Sequence, residues 1–194
     1  ITVNGCTSPV VSTKVLIYEI PAPPTASNNG PICEGEDLNL SASAVAGGSY
    51  NWVGVNSFSS TNQNPVIAAA SPTESGDYWV TVTVNGCTSE ADTTTAMIFP
   101  IPAAPTAGSN TPLCEGDTLT LNASSGAGAT FNWTGPDGFV DTLPNTGVDG
   151  VSLANGGDYF VTATINGCES APTLVNVVVN GTPVISSVGS NSPV

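Results

Sequence analysis

Five cysteines are the residues of this 194-residue chain best placed to do chemistry, and their spacing narrows what that chemistry is. Cys6, Cys87 and Cys168 recur at one constant interval, and the same interval separates Cys33 from Cys114. Regularly placed thiols serve metal binding, redox exchange or disulfide pairing. The sequence has no histidine and no Cys-x-x-Cys, so zinc and redox chemistry lack their usual ligand sets. Disulfides are left. Both complete repeats carry two cysteines at an identical spacing, and this predicts the pairs Cys33 with Cys87 and Cys114 with Cys168. Closing such a loop stabilises a small domain by about 4 kcal/mol on the chain-entropy model. Cys6 is then a half-cystine whose partner lies upstream. One further step of the repeat interval from Cys114 lands just past Val194, so the sequence is expected to be a window on a longer tandem array. Paired cysteines in small domains also point to an oxidising compartment outside the cytoplasm.

Other chemistries fare worse. Without histidine there is no Ser-His or Cys-His pair, and Lys14 is the sole basic residue. Glu34 with Glu36, or Asp137 with Asp141, could act as acid and base. They fall in predicted loops, and the second pair has no counterpart one repeat earlier. No enzyme is expected. Calcium is a better use for acidic loops, because it takes six to eight oxygen ligands. The candidates are Glu34, Glu36 and Asp37, with Glu115 and Asp117 repeating part of the cluster. No EF-hand or Asp-x-Asp motif supports them, so solvated carboxylates that confer solubility are the expected reading and no cofactor is required. A formal charge of −14 excludes binding to nucleic acid or to anionic membrane surfaces. No run of about 18 apolar residues is present, so nothing in this window inserts into a membrane.

The elements that must position the cysteines repeat with them. Cys33-Glu34-Gly35 matches Cys114-Glu115-Gly116, Trp52 matches Trp133, Phe58 matches Phe139, and Gly76-Asp77-Tyr78 matches Gly157-Asp158-Tyr159. Asn-Gly-Cys occurs three times. Leu38, Leu40 and Ala42 alternate with polar residues, as do Leu119, Leu121 and Ala123. Such alternation predicts half-buried strands. Further strands are expected at Tyr50 to Trp52, weakly near Val66, from Tyr78 to Val84, and from there on to Phe99, with equivalents ending at Val179. Asn-Gly after Val84 is a strong hairpin signal. No helical periodicity is found. Many short strands with frequent turns predict an all-β chain of tandem β-sandwiches. Ile20-Pro21-Ala22-Pro23-Pro24 and Ile101-Pro102-Ala103-Ala104-Pro105 read as extended, semi-rigid linkers.

A tryptophan on the third strand, and Ser75-Gly76-Asp77-Tyr78 leading a later one, resemble the core tryptophan and tyrosine corner of immunoglobulin domains. The cysteines depart from that pattern. They precede one strand and follow another, so a staple near one end of the sandwich is expected in place of the central disulfide. The combination of Pro-x-Cys-Glu-Gly, Trp, Gly-Asp-Tyr and Val-Thr-Val-Asn-Gly-Cys resembles the Ig-like/PKD-like tandem repeats of giant Bacteroidota surface proteins. That resemblance implies an extracellular place on a bacterial cell surface, in adhesin stalks or filaments. It also implies O-glycosylation at Asp-Ser/Thr motifs, with Thr93, Thr118 and Thr142 as the matching positions.

The expected division is a C-terminal hairpin of a preceding repeat at 1–20, Ig-like repeats at 21–100 and 101–181, and the start of another at 182–194. If Tyr78, Val80 and Val82 face inward, Trp79 faces outward, and Phe160 takes the same place one repeat later. These aromatics are candidate contacts for a neighbouring repeat, a filament partner or a surface glycan. The expected function is a structural repeat segment of a long extracellular protein. The alternative is a glycan- or ligand-binding module of a secreted multidomain protein.

Overall fold

The computed structural model of the chain describes residues 1–186 and residue 189. Of the expected further repeat at 182–194, residues 187, 188 and 190–194 lie outside the described residues. The described residues form β-strands and short 3-10 turns, with no α-helix among them. They gather into two compact units. The first holds Ile1–Gly30, Asp37–Ile67 and Glu74–Ala96, and the second holds Pro31–Glu36, Ala68–Thr73 and the chain from Met97 onward.

In the first unit the alternating run becomes the strand Leu38–Ala42, with Leu38, Leu40 and Ala42 buried and Asn39 and Ser41 exposed. It pairs antiparallel with Ala26–Asn28 on one side and Val66–Ile67 on the other. A second sheet places Ser49–Gly54 between Ser59–Ser60 and Gly76–Val84. Cys87–Thr88 and Asp92–Ala96 then pair along the far side of Gly76–Val84. Tyr50, Trp52, Tyr78, Val80 and Val82 are buried, which makes the unit a two-sheet sandwich. Removing such a side chain from water contributes roughly 1.5–3 kcal/mol.

The second unit repeats this layout. Leu119–Ser124 lies between Thr106–Ser109 and Asn145–Val148. Thr130–Thr134 lies between Val140–Asp141 and Gly157–Ile165, with Cys168–Glu169 and Thr173–Val177 beyond. Leu119, Leu121, Trp133, Tyr159, Val161 and Val175 form one continuous core drawn from both sheets.

Two local features set the hairpins and corners. Asn85 and Gly86 have φ of 51° and 83°, and Asn166 and Gly167 have 53° and 84°. Positive φ at both central residues is the type I′ turn that Asn-Gly favours. Gly54 and Gly135 are needed for space: a Cβ on either would sit 2.3 or 2.4 Å from the ring of Tyr78 or Tyr159.

The last strand of each repeat differs from the unbroken run expected. It stops at Ala96 or Val177, and a short segment just beyond pairs in parallel elsewhere. Ile98–Phe99 pairs with Ile32–Cys33, and Val179–Asn180 pairs with Leu113–Cys114. This switch brings the end of each repeat beside its Cys-Glu-Gly turn, and it sets where the cysteines can reach.

Candidate functional site

Within the second unit, Cys33 and Cys168 form a disulfide with Cα atoms 5.6 Å apart and a sequence separation of 135. Cys33 sits on the short strand that pairs with Ile98–Phe99, directly opposite Phe99. Cys168 sits at the tip of the Asn-Gly hairpin, opposite Ile165, and its Sγ lies 4.0 Å from the carbonyl oxygen of Phe99. The bond therefore links the first sequence repeat to the hairpin tip of the second. Cys6, Cys87 and Cys114 are free thiols.

This corrects the expected pairing of Cys33 with Cys87 and Cys114 with Cys168, and the expected staple near one end of a single sandwich. The reason is geometric. Cys168 lies at the end of the nine-residue strand Gly157–Ile165. Cys114 lies opposite Asn180, shortly beyond the Val177 that faces Gly157 at that strand's start. At about 3.3 Å per residue Cys114 and Cys168, the two cysteines of the second repeat, are roughly 30 Å apart. A disulfide requires Cα atoms within about 7 Å. One repeat cannot close its own pair.

The carboxylates behind the Cys-Glu-Gly turns have local work. Glu36 Oε2 accepts a hydrogen bond from the Cys33 amide at 2.8 Å, and Asp117 Oδ2 accepts the same bond from the Cys114 amide at 2.8 Å. Each clamps the turn that presents its cysteine. Glu34, Glu36, Asp37 and Asp117 are exposed and Glu115 is half-buried. No three metal-ligating side chains converge among the described residues, so the structure does not assemble the calcium candidates into a site.

Both tyrosine corners form. Tyr78 Oη donates to the Glu74 carbonyl at 2.8 Å, and Tyr159 Oη donates to the Asn155 carbonyl at 3.0 Å. Burial, joined by the nearby Glu74 or Asp137 charge, pushes both phenols above their ordinary pKa. The core tryptophans donate Nε1 to the carbonyls of Gln63 and Leu143, each at 3.1 Å. Phe58 and Phe139 meet the tyrosine rings edge-on, with centroids 5.4 and 5.3 Å apart.

Trp79 and Phe160 face outward, 39% and 41% exposed. Val53 and Thr93 flank Trp79, and Thr134 and Leu174 flank Phe160. Thr93, Thr118 and Thr142 are all exposed. The Thr118 hydroxyl donates to Asp149 at 3.0 Å, and the Thr142 amide donates to Asp141 at 2.6 Å. Asp141 is held below the usual carboxylate range, first by the Thr146 hydroxyl and then by the amides of Leu143 and Thr142.

Ser89 and Ser170, which follow the hairpin cysteines, do work that sequence reasoning missed. Each hydroxyl is buried, accepting from the Val82 or Ala163 amide and donating to the Glu90 or Ala171 carbonyl. Each fixes the hairpin arm that carries its cysteine. The recurring Asn-Gly-Cys-x-Ser spacing is the signal that could have found them.

The chain is similar in fold to a marsupial T cell receptor, at 14% identity and a TM-score of 0.50, over 82% of this chain and 73% of that one. A chain of the mouse coronavirus receptor-binding domain complexed with its murine receptor matches at 13% identity and a TM-score of 0.49, over 80% and 100%. Murine CEACAM1b matches at 14% and 0.45, over 80% and 100%. At such identities the likeness to the T cell receptor speaks for the fold alone. No curated protein matches the chain. The family model of the Ig-like domain described as CHU_C associated matches residues 21–100 and again 102–181. This agrees with the resemblance to Ig-like tandem repeats of Bacteroidota surface proteins. The chain belongs to this family of CHU_C-associated Ig-like domains and carries two of them in tandem.

Proposed function

We propose that this segment is a structural stretch of a long extracellular protein on a bacterial cell surface, serving as an adhesin stalk or part of a filament. The observation that carries the reading is the disulfide from Cys33 to Cys168, which ties one sequence repeat to the next. A load applied along the chain passes through the sulfur bridge and bypasses the residues between its ends. That is useful in an element that transmits force. Each repeat also brings its own core and tyrosine corner, so the array gains length by addition. The test is antibody labelling of the cells that make the protein. Labelling of intact cells is expected; labelling only after permeabilisation would overturn the proposal.

One observation favours a second reading. Trp79 with Val53, and Phe160 with Leu174, leave apolar side chains on an outward sheet face, where an aromatic can stack on a sugar ring. A glycan array shown the intact chain and Trp79→Ala separates the two readings. Binding lost in the variant favours a glycan-binding module, and no binding by either favours the stalk.

A further inference from the structure

Two of the free thiols are held in the poses of the two that are bonded. Cys87 lies at the tip of the hairpin one repeat before Cys168, opposite Val84 as Cys168 lies opposite Ile165. Its thiol meets the Tyr18 carbonyl at 3.8 Å. Tyr18 stands one full repeat interval before Phe99, and Phe99 is the residue whose carbonyl lies beside the bonded Cys168. Cys114 stands opposite Asn180 in the same parallel register that sets Cys33 opposite Phe99. Its amide is clamped by Asp117 as that of Cys33 is clamped by Glu36. Cys87 thus presents the hairpin half of a staple and Cys114 the turn half.

We propose that Cys87 and Cys114 are half-cystines for further copies of this Ig-like repeat. Cys87 takes the Pro-x-Cys-Glu-Gly cysteine of the repeat before its own, and Cys114 takes the Asn-Gly-Cys cysteine of the repeat after its own. The Cys33–Cys168 bond is one rung of a ladder in which each hairpin tip locks onto the preceding turn. Neither thiol pairs within its own repeat, because a strand's length separates the two cysteines there, and Cys87 and Cys114 are both left unbonded in this chain. Each rung forms one S–S bond from two S–H bonds. The two electrons and two protons pass to a disulfide oxidant of the compartment, which is reduced to two thiols. The complementary cysteine belongs either to another repeat of the same polypeptide or to a second copy of it; the chemistry is the same.

The test uses the protein as its cell makes it. Free thiols are alkylated without reduction, the protein is digested, and bridged peptides are sequenced by mass spectrometry. The peptides holding Cys87 and Cys114 are expected unalkylated. Cys87 should be bridged to a Pro-x-Cys-Glu-Gly peptide and Cys114 to an Asn-Gly-Cys peptide. An apparent mass unchanged by reduction assigns the partner to the same polypeptide, and a mass that falls assigns it to a second copy. Alkylated Cys87 or Cys114, bridges within one repeat, or like-to-like bridges would overturn the proposal. It stands apart from the stalk role, since a ladder could be found on a protein that the labelling of intact cells fails to detect.

Discussion

Cys33 and Cys168 meet at a Cα separation of 5.6 Å, whereas Cys114 and Cys168, the two cysteines of the second repeat, lie towards opposite ends of the nine-residue strand Gly157–Ile165. The disulfide is thus a property of succession, formed only when one repeat follows another. A sequence separation of 135 gives such a bond about 5 kcal/mol on the chain-entropy model, comparable with the whole net stability of a small domain.

Stretching a single molecule from its ends should show the bypass. With the bond intact, the residues between Cys33 and Cys168 cannot lengthen. Reduction should add about 450 Å of extensible chain at roughly 3.4 Å per residue. Two separate loops within repeats would release about 370 Å instead.

Tyr78→Phe and Tyr159→Phe each remove one hydrogen bond from a tyrosine corner. Each should cost about 1 kcal/mol in urea unfolding, because the carbonyl acceptor loses its donor. The double variant should cost the sum, since the two corners share no partner.

Much of this architecture was legible from residue order, and the reason is physical. Leu38, Leu40 and Ala42 alternate because one face of their strand meets the core, so burial follows directly from a period of two. Asn85-Gly86 dictates a backbone that few other residues adopt. The cysteine pairing was not legible in the same way. It depends on which end of the sandwich each turn occupies, and the constant spacing of Cys33 to Cys87 and Cys114 to Cys168 carries no such information. The short parallel step at Ile98–Phe99 was hidden too, because a strand that changes partners keeps its apolar pattern. Glu36 and Asp117 read as solvated charge, although each bonds an amide close by in the same turn.

Trp52→Ala and Trp79→Ala should separate core from surface. Trp52 is fully buried, and its removal should cost about 3–5 kcal/mol through transfer and cavity terms. Trp79 is 39% exposed, so its loss should cost clearly less. Chemical unfolding of both variants reads the difference directly.

Asp92 should give stability a pH dependence that Asp92→Asn reduces. Its carboxylate accepts from the Ala26 amide at 2.8 Å. That bond, followed by one from the Thr93 amide, holds it below the ordinary carboxylate value. A carboxyl with a depressed native pKa contributes fully above its unfolded value, about 4. The contribution is lost as pH falls through the lower native value. Thermal melts from pH 7 downward should show a shallower acid slope for the variant. Equal slopes would deny Asp92 this role.

The most direct measurement is the disulfide map of the 194-residue chain itself, oxidised and left unreduced. Lys14 is its sole basic residue, so cleavage after acidic and aromatic residues is needed in place of trypsin. A bridged pair of peptides holding Cys33 and Cys168 is the predicted result. Bridges from Cys33 to Cys87 and from Cys114 to Cys168 would contradict the account, because each repeat would then close upon itself.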